Sequence, residues 1–173
     1  MRIAIDAREL AGRPTGVGRY LSGLLMGWRR LPAVAAHEFV LCSPEHVDHT
    51  RFRGLRVSCS VAPGSGTLWE QRVLPRLVSR ANADVFFSPG YTCPLWCRAP
   101  IVLVIHDVSF AAHPEWFSWR EGFRRRTLTR PAGRRAHRVI TDSDFSKREI
   151  ARHLAIDSSR IDVIYLGASA LHQ

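Results

Sequence analysis

The spacing of apolar residues along the chain alternates between two periods. Residues 2–7 form a short apolar run that predicts a strand, whereas leucines and a tryptophan between residues 21 and 28 recur at i, i+3, i+4 and i+7, which predicts an amphipathic helix. The same pattern predicts further strands at residues 38–43, 55–62, 84–88, 100–107, 138–141 and 161–166, and further helices from residue 67, over about 114–136 and over 145–154. Strands that alternate with helices in this way predict an α/β fold with a Rossmann-like, doubly wound, mostly parallel sheet in a single domain.

The strand predicted at residues 100–107 has the strongest signal. Its apolar positions run without alternation from Ile101 to Ile105, as in a strand that is buried on both faces of a parallel sheet. Ligands bind such sheets at the carboxyl ends of the strands. The residues that follow each strand are therefore where we expect chemistry.

The first such place is the turn formed by Thr15, Gly16, Val17 and Gly18. Glycines let the backbone approach a ligand closely, and the N–H groups at the start of a helix favour an anion such as a diphosphate. A Gly-x-Gly sequence also occurs in tight turns that bind nothing. By itself this motif leaves both interpretations open.

A dinucleotide-binding fingerprint requires more than this turn supplies. Its third glycine is absent, because Leu21 occupies that position. Only Glu45 could provide the acidic residue expected near the end of the second strand. A nicotinamide-dependent oxidoreductase is therefore a poor fit.

The second place is the pair His106-Asp107 at the end of the strongest strand. A histidine there can bind a ligand hydroxyl or move a proton near neutral pH. The structural alternative is a histidine held by the neighbouring loop, and Asp107 is expected to cap the loop that follows.

Helix caps explain several other polar residues. Ser143 is placed to cap the helix over residues 145–154. Thr67 and Glu70 have the spacing of a capping box for the helix predicted from residue 67. Pro75 lies inside that second predicted helix and is expected to kink it.

The chain of 173 residues has a formal net charge of +10, and arginine supplies nearly all of it because Lys147 is the only lysine. Such a surface attracts polyanions, although the charge also serves solubility. Aromatic residues and arginines interleave in the helix predicted over about 114–136; they are Trp116, Phe117, Trp119, Phe123, Arg120, Arg124, Arg125 and Arg126. This combination suits an anionic membrane surface or nucleic acid, and the alternative is that the aromatics pack inside the protein. A basic peripheral membrane or nucleic-acid binding module is therefore the competing function.

Cysteine spacing and hydropathy indicate the compartment. Cys93 and Cys97 are close together, but no second pair at zinc-binding spacing follows, so we expect four reduced, structural thiols and no metal. The N-terminal residues enter a strand directly, and no apolar run approaches the ~20 residues of a membrane span. We expect a soluble, cytoplasmic protein that is at most peripheral at the inner membrane face.

Taken together, the ordered motifs resemble the N-terminal domain of the retaining glycosyltransferases of family 4, which have the GT-B fold. The similarity covers nearly the whole chain and rests on the opening strand with its glycine turn, on residues 104–107 with Pro114 downstream, on residues 139–147 and on residues 160–167. The last of these segments has Leu166 where the family usually has asparagine.

The resemblance implies roles for individual residues. Gly16, Val17 and Gly18 would approach the diphosphate of a nucleotide-sugar donor, and His106 would act as the catalytic residue that contacts the donor sugar. The acceptor, a glycan or lipid-linked hydroxyl, would lie against residues that line the cleft; these are Asp107, Tyr91 and Ser143. The resemblance implies no cofactor and no metal, and nucleic acid is not expected as a partner.

Family members are about twice as long as this chain, and their second domain holds most of the donor. The resemblance therefore implies that residues 1–173 are the acceptor-side domain, without the donor-binding C-terminal domain. We expect these residues alone to have little or no transferase activity.

Overall fold

A computed structural model describes residues 1–12, 15–112, 115 and 119–167, without the side chains of residues 112 and 119–126. Within these residues seven strands form one parallel sheet in the order β3-β2-β1-β4-β5-β6-β7. The strands are β1 (Arg2–Asp6), β2 (Glu38–Ser43), β3 (Arg56–Val61), β4 (Val85–Ser88), β5 (Ile101–Val104), β6 (Arg138–Thr141) and β7 (Ile161–Val163). The predicted α/β, Rossmann-like fold is confirmed.

The described helices connect these strands. They are α1 (Gly16–Trp28), α2 (Gly66–Leu68), α3 (Leu74–Arg80), α4 (Ser109–Ala112), α5 (Trp119–Arg135) and α6 (Asp144–Leu154). A π-helical segment, Trp69–Val73, joins α2 to α3, and short 3₁₀ turns occur at Arg8–Leu10, Pro32–Ala36, Thr50–Phe52 and Ser158–Arg160.

The chain divides into two compact units. Unit 1 comprises Met1–Pro89 and Cys93–Val102. Its central strand β1 pairs with β2 on one side, with Ile5 opposite Leu41, and with β4 on the other, with Ile5 opposite Phe87. Helix α1 buries Leu21 and Leu25 completely, as its apolar spacing predicts.

Unit 2 comprises Gly90–Thr92 and Leu103–Gln173. In it β6 and β7 pair in parallel, with Val139 opposite Ile161. Helix α6 follows β6 and contributes the fully buried Ile150 to the core of this unit.

Three local predictions were wrong, each for a physical reason. Gly16–Gly18 form the first turn of α1 rather than a loop, because Thr15 caps the helix one residue earlier. Strand β5 ends at Val104, so His106 and Asp107 lie in the segment after the strand and not within it. The predicted capping box is absent: Thr67 lies inside α2, whose N-cap position is Ser65.

Pro75 lies at the start of a helix and not in the interior of one, and the predicted kink stays a prediction. Proline lacks the N–H that an α-helix interior needs, but Pro75 stands in the first turn of α3, where that donor is dispensable. The five π-helical residues Trp69–Val73 precede it and change the hydrogen-bond register of the helix there.

Candidate functional site

A buried ionic cluster lies just after β1 in unit 1. Asp6 is the last residue of the strand and is 4% exposed. Arg8 donates two hydrogen bonds to Asp6 Oδ2, from Nε at 2.9 Å and from Nη2 at 2.5 Å. The same Arg8 Nη2 donates to Glu70 Oε2 at 2.8 Å, and Glu70 is fully buried. We call Asp6, Arg8 and Glu70 the arginine cluster.

Arg8 is held in its charged form by this environment. Burial acts to lower the pKa of Arg8, but the charge of Asp6 and its hydrogen bond, followed by those of Glu70, outweigh burial and raise that pKa above its ordinary value. The guanidinium also lies 5.3 Å from the ring centroid of Trp69, within the range of a cation–π contact. The guanidinium is thus paired with two carboxylates and lies beside an aromatic ring.

The glycine turn is tied to this cluster through the backbone. Arg8 opens a 3₁₀ turn that includes Glu9, whose carboxylate accepts a hydrogen bond from Thr15 Oγ1 at 2.7 Å. Thr15 Oγ1 in turn accepts from the N–H of Gly18 at 2.9 Å, which caps helix α1.

The two glycines of the turn have different environments. A Cβ built on Gly18 would stand 2.2 Å from the backbone oxygen of Glu9, so only glycine fits there. A Cβ on Gly16 would meet nothing within 4 Å, and Gly16 is exposed. Gly18 is thus explained by packing inside the protein, whereas Gly16 leaves open space at the helix start.

A second cluster lies after β5 and β6 in unit 2. His106 Nδ1 stands 2.7 Å from Asp142 Oδ2, and the two side chains are 15% and 19% exposed. Asp142 follows the last residue of β6, Thr141, and precedes Ser143, the N-cap of α6. We call His106 and Asp142 the histidine dyad.

Tyr91 and Asp107 hold the dyad from another direction. The Tyr91 ring meets His106 edge-on, with ring centroids 5.9 Å apart, and its hydroxyl donates to Asp107 Oδ2 at 2.6 Å. Asp107 Oδ1 accepts from the N–H of Ser109 at 2.9 Å, at the start of α4, so Asp107 does cap the following loop as predicted. Both carboxylate oxygens of Asp107 are therefore engaged inside the protein.

Tyr91 adopts a backbone conformation that is rare for its residue type. Its φ is +48°, in the left-handed region, and its N–H donates to the Val104 carbonyl at 2.8 Å. A bulky residue at positive φ is strained and tends to occur at functional sites, where its surroundings hold it in place.

Ser143 has the capping role that its position predicts. Its Oγ accepts from the N–H of Ser146 at 3.0 Å. This bond explains the serine without a ligand, and the prediction that Ser143 also lines a binding cleft stays a prediction.

The sequence reasoning missed Asp142, Arg8 and Glu70. Asp142 was visible as one of several polar residues between β6 and α6, but nothing in the sequence alone links it to a histidine 36 positions earlier. Glu70 was assigned to a cap, and its spacing from Arg8, 62 positions, carries no periodic signal either.

The basic region stays a prediction. The side chains of Arg120, Arg124, Arg125 and Arg126 lie outside the described residues, as do Pro114, Trp116 and Phe117 altogether. In the described part of the chain, no helix has the length and apolar character needed to cross a membrane. The described residues also contain no group of three or more histidine, cysteine or acidic side chains arranged for a metal.

The four cysteines form no disulfide in this structure. Cys42 lies fully buried beside the end of β1, opposite Asp6 in the pairing of β1 and β2. Burial, followed by the negative charge of Asp6, raises the pKa of Cys42 to about 12. This thiol is therefore protonated at neutral pH and belongs to the core of unit 1.

Comparison with solved structures shows what the chain resembles. It is similar to HepE of Anabaena, described in complex with UDP-glucose, with 19% identity and a TM-score of 0.59 over 97% of this chain and 44% of that chain. It is also similar to the lipopolysaccharide outer core galactosyltransferase WaaB, with 13% identity and a TM-score of 0.55 over 98% of this chain and 46% of WaaB. A glycosyltransferase from Rickettsia africae matches with 11% identity and a TM-score of 0.53 over 96% of this chain and 43% of that one.

This chain spans less than half the length of each of these three proteins, and at such identities the likeness establishes the fold alone. A comparison with curated proteins finds no match. The sequence profile of Glycosyltransferase Family 4, however, matches residues 14–170, which is most of the chain. The glycine turn, the histidine dyad and strands β2 to β7 lie within that match, and the chain belongs to Glycosyltransferase Family 4.

Proposed function

We propose that the chain is the acceptor-side half of a retaining glycosyltransferase, which transfers a sugar from a nucleotide sugar to a hydroxyl of a glycan or lipid-linked acceptor. The observation that carries this proposal is His106, held by Asp142 at 2.7 Å just after β5 in a family 4 domain. The UDP-glucose bound to HepE supports the nucleotide-sugar class of donor.

The open start of helix α1 supports a role in binding phosphate. Gly16, Val17 and Gly18 are its first three residues, and the N–H groups of a first helical turn lie outside the intrahelical ladder. Only the Gly18 N–H is capped by Thr15. The N–H groups of Gly16 and Val17 would therefore donate to the donor diphosphate, which the positive end of the helix dipole also favours.

His106 would contact a hydroxyl of the donor sugar. In the reaction, the acceptor oxygen forms a bond to the anomeric carbon while the bond from that carbon to the diphosphate oxygen breaks. The nucleoside diphosphate leaves with the bonding electrons, and its leaving oxygen takes up the proton that the acceptor hydroxyl loses. Rate enhancement then depends on stabilising the diphosphate and the oxocarbenium-like sugar, to which oriented N–H groups and a fixed imidazole contribute.

Tyr91, Asp107 and Ser143 would line the acceptor side of the cleft, and their roles there differ. Asp107 is engaged by Tyr91 and Ser109, so its part is to hold the Tyr91 ring in place. Tyr91 offers the acceptor its ring more readily than its hydroxyl, because that hydroxyl already donates to a carboxylate.

Activity would require a donor-side domain as well. The three similar proteins are more than twice as long as the part that this chain matches, which supports the proposal that the chain corresponds to one half of such a molecule. We expect residues 1–173 alone to transfer no sugar, and a donor-side domain of a family 4 enzyme, added as a separate polypeptide, to restore some turnover.

Membrane contact is a further part of the proposal. Arg120, Arg124, Arg125 and Arg126 would bind the anionic cytoplasmic face of a membrane, where a lipid-linked acceptor would be located. Cosedimentation with vesicles of anionic lipid, lost when the four arginines are replaced by glutamine, would support this localisation.

A backbone amide titration with a panel of nucleotide sugars tests the function directly. We expect UDP-glucose or another nucleotide sugar to shift the amide signals of Gly16 and Val17, and Gly16→Ala to weaken this binding about tenfold, because a methyl group fills the open space at the helix start. Gly23→Ala is the matched control, since Gly23 lies in the same helix and a Cβ there also meets nothing within 4 Å.

Two results would contradict the proposal. One is the absence of any shift at the glycine turn with every nucleotide sugar tested at millimolar concentration, when the donor-side domain of a family 4 enzyme is also present. The other is an equal loss of binding in Gly16→Ala and Gly23→Ala, which would place the effect in the helix as a whole.

A further inference from the structure

The contact between His106 and Asp142 fixes which ring nitrogen carries the proton. A carboxylate only accepts hydrogen bonds, so its 2.7 Å contact with Nδ1 requires an N–H at that atom. In the neutral ring, Nε2 then has the lone pair. The length of the contact is that of a charge-assisted hydrogen bond, which is stronger than one between neutral groups.

The residues on both sides of Asp142 are held by hydrogen bonds within unit 2. The residue before it, Thr141, pairs with Val163 of β7 and accepts a hydrogen bond from the Ile164 N–H at 2.9 Å. The residue after it, Ser143, is locked by its bond to Ser146. A side chain fixed on both sides in this way can hold a partner in one orientation.

The second carboxylate oxygen of Asp142, Oδ1, lies in an unfavourable environment. Oδ1 is buried and has no hydrogen-bond partner in the described structure, whereas both oxygens of Asp107 are satisfied. A buried acceptor without a partner destabilises a protein. Residues that break a local rule in this way are expected at functional sites.

We infer that Asp142 is a positioning residue that holds His106 with Nε2 as its acceptor nitrogen, so that His106 accepts a hydrogen bond from a hydroxyl of the donor sugar. This rests on the proposed function for its sugar contact, but not for the proton position. Without the carboxylate, the ring loses its preference for a proton on Nδ1 and turns more freely beside Tyr91. Asp142 thus acts on the sugar only through His106.

The proton position is measured by nitrogen NMR of the imidazole rings, with His106→Asn used to assign the His106 signals. We expect the wild-type ring to be predominantly in the Nδ1–H form and Asp142→Ala to shift it substantially toward the Nε2–H form. Glu149→Ala is the matched control, because Glu149 contacts His153 Nε2 at 3.2 Å in the same unit. An unchanged His106 tautomer in Asp142→Ala would overturn the inference.

The sugar contact is measured by titrating UDP-glucose and UDP into the same variants together with the donor-side domain of a family 4 enzyme. We expect Asp142→Ala and His106→Asn each to weaken UDP-glucose binding about fivefold and to leave UDP binding unchanged, because UDP lacks the sugar. Equal weakening for UDP and UDP-glucose would overturn the inference in favour of a purely structural role.

The two hypotheses fail in different ways. If His106→Asn weakens UDP-glucose binding but Asp142→Ala changes neither tautomer nor affinity, the proposed function stands and the positioning role is overturned. If the tautomer shifts in Asp142→Ala but neither variant changes binding, the proton assignment is supported and the sugar contact fails. Should Asp142→Ala not fold, Asp142→Asn replaces it; the amide has the same shape but can donate to Nδ1 as well as accept from it, so we expect a smaller shift toward the Nε2–H form.

Discussion

The arginine cluster of unit 1 and the histidine dyad of unit 2 both place carboxylates beside a basic side chain, but they balance charge differently. In the cluster, Arg8 is permanently charged and bridges two buried carboxylates under the ring of Trp69. In the dyad, Asp142 faces a group that can be neutral, and one of its buried oxygens has no partner among the described residues. Under the proposed function, the arginine cluster stabilises the fold, whereas the charge of the dyad serves to bind a ligand.

Removing the guanidinium is expected to have the largest effect on this comparison. Arg8→Met leaves Asp6 and Glu70 buried without their cation, which should lower the free energy of unfolding by about 3–5 kcal/mol. Urea denaturation monitored by circular dichroism measures it. Arg138→Ala is the control, because the Arg138–Asp162 pair is exposed and should contribute no measurable stability. If the two variants lost similar amounts of unfolding free energy, the arginine cluster would not have the structural role described here.

The glycine turn should separate stability from binding within unit 1. Gly18→Ala forces a methyl group against the backbone oxygen of Glu9 and should cost about 1–3 kcal/mol of unfolding free energy. The methyl group of Gly16→Ala meets nothing within 4 Å, so this variant should leave the free energy of unfolding nearly unchanged while weakening the binding of the nucleotide sugar. Thermal unfolding and titration of both variants decide this, and a destabilised Gly16→Ala would show that its space is not open.

The histidine dyad should contribute less to stability than the arginine cluster. Asp142→Ala removes a hydrogen bond but also an unsatisfied buried oxygen, so we expect a change of only about 1 kcal/mol or less. The same urea denaturation measures it. If Asp142→Ala lost as much unfolding free energy as Arg8→Met, the dyad would be a second structural cluster and would not differ from the arginine cluster in this respect.

The buried thiol beside Asp6 provides the smallest effect at neutral pH. The ordinary pKa of 9.0 is raised to about 12 for Cys42, so between these values the folded state binds a proton that the unfolded state has lost. The stability from this group is complete below about pH 9 and is lost as the pH rises toward 12. Cys42→Ala should flatten this alkaline decline in denaturation experiments, and an unchanged decline would assign it to other groups.

Periodicity and composition were sufficient to predict the seven strands and the long helices α1 and α6, although not every boundary. The uninterrupted apolar run around Ile101 and the spacing from Leu21 to Trp28 reflect burial, and burial is what decides these elements. They also placed His106 and Gly16 after the correct strands. The contacts within the site could not be predicted, because Asp142 and Glu70 find their partners only when the chain folds. The capping box failed for the same reason: Glu70 looked like a local cap and instead pairs with Arg8 across 62 positions.

The left-handed backbone of Tyr91 has an evolutionary consequence. Glycine or asparagine would adopt a φ of +48° with less strain, so a library at this position selected only for thermal resistance should drift toward those two residues. A library selected for sugar transfer should instead retain an aromatic ring, since the ring contacts His106. The residue that survives each selection would reveal which of the two demands has kept tyrosine there.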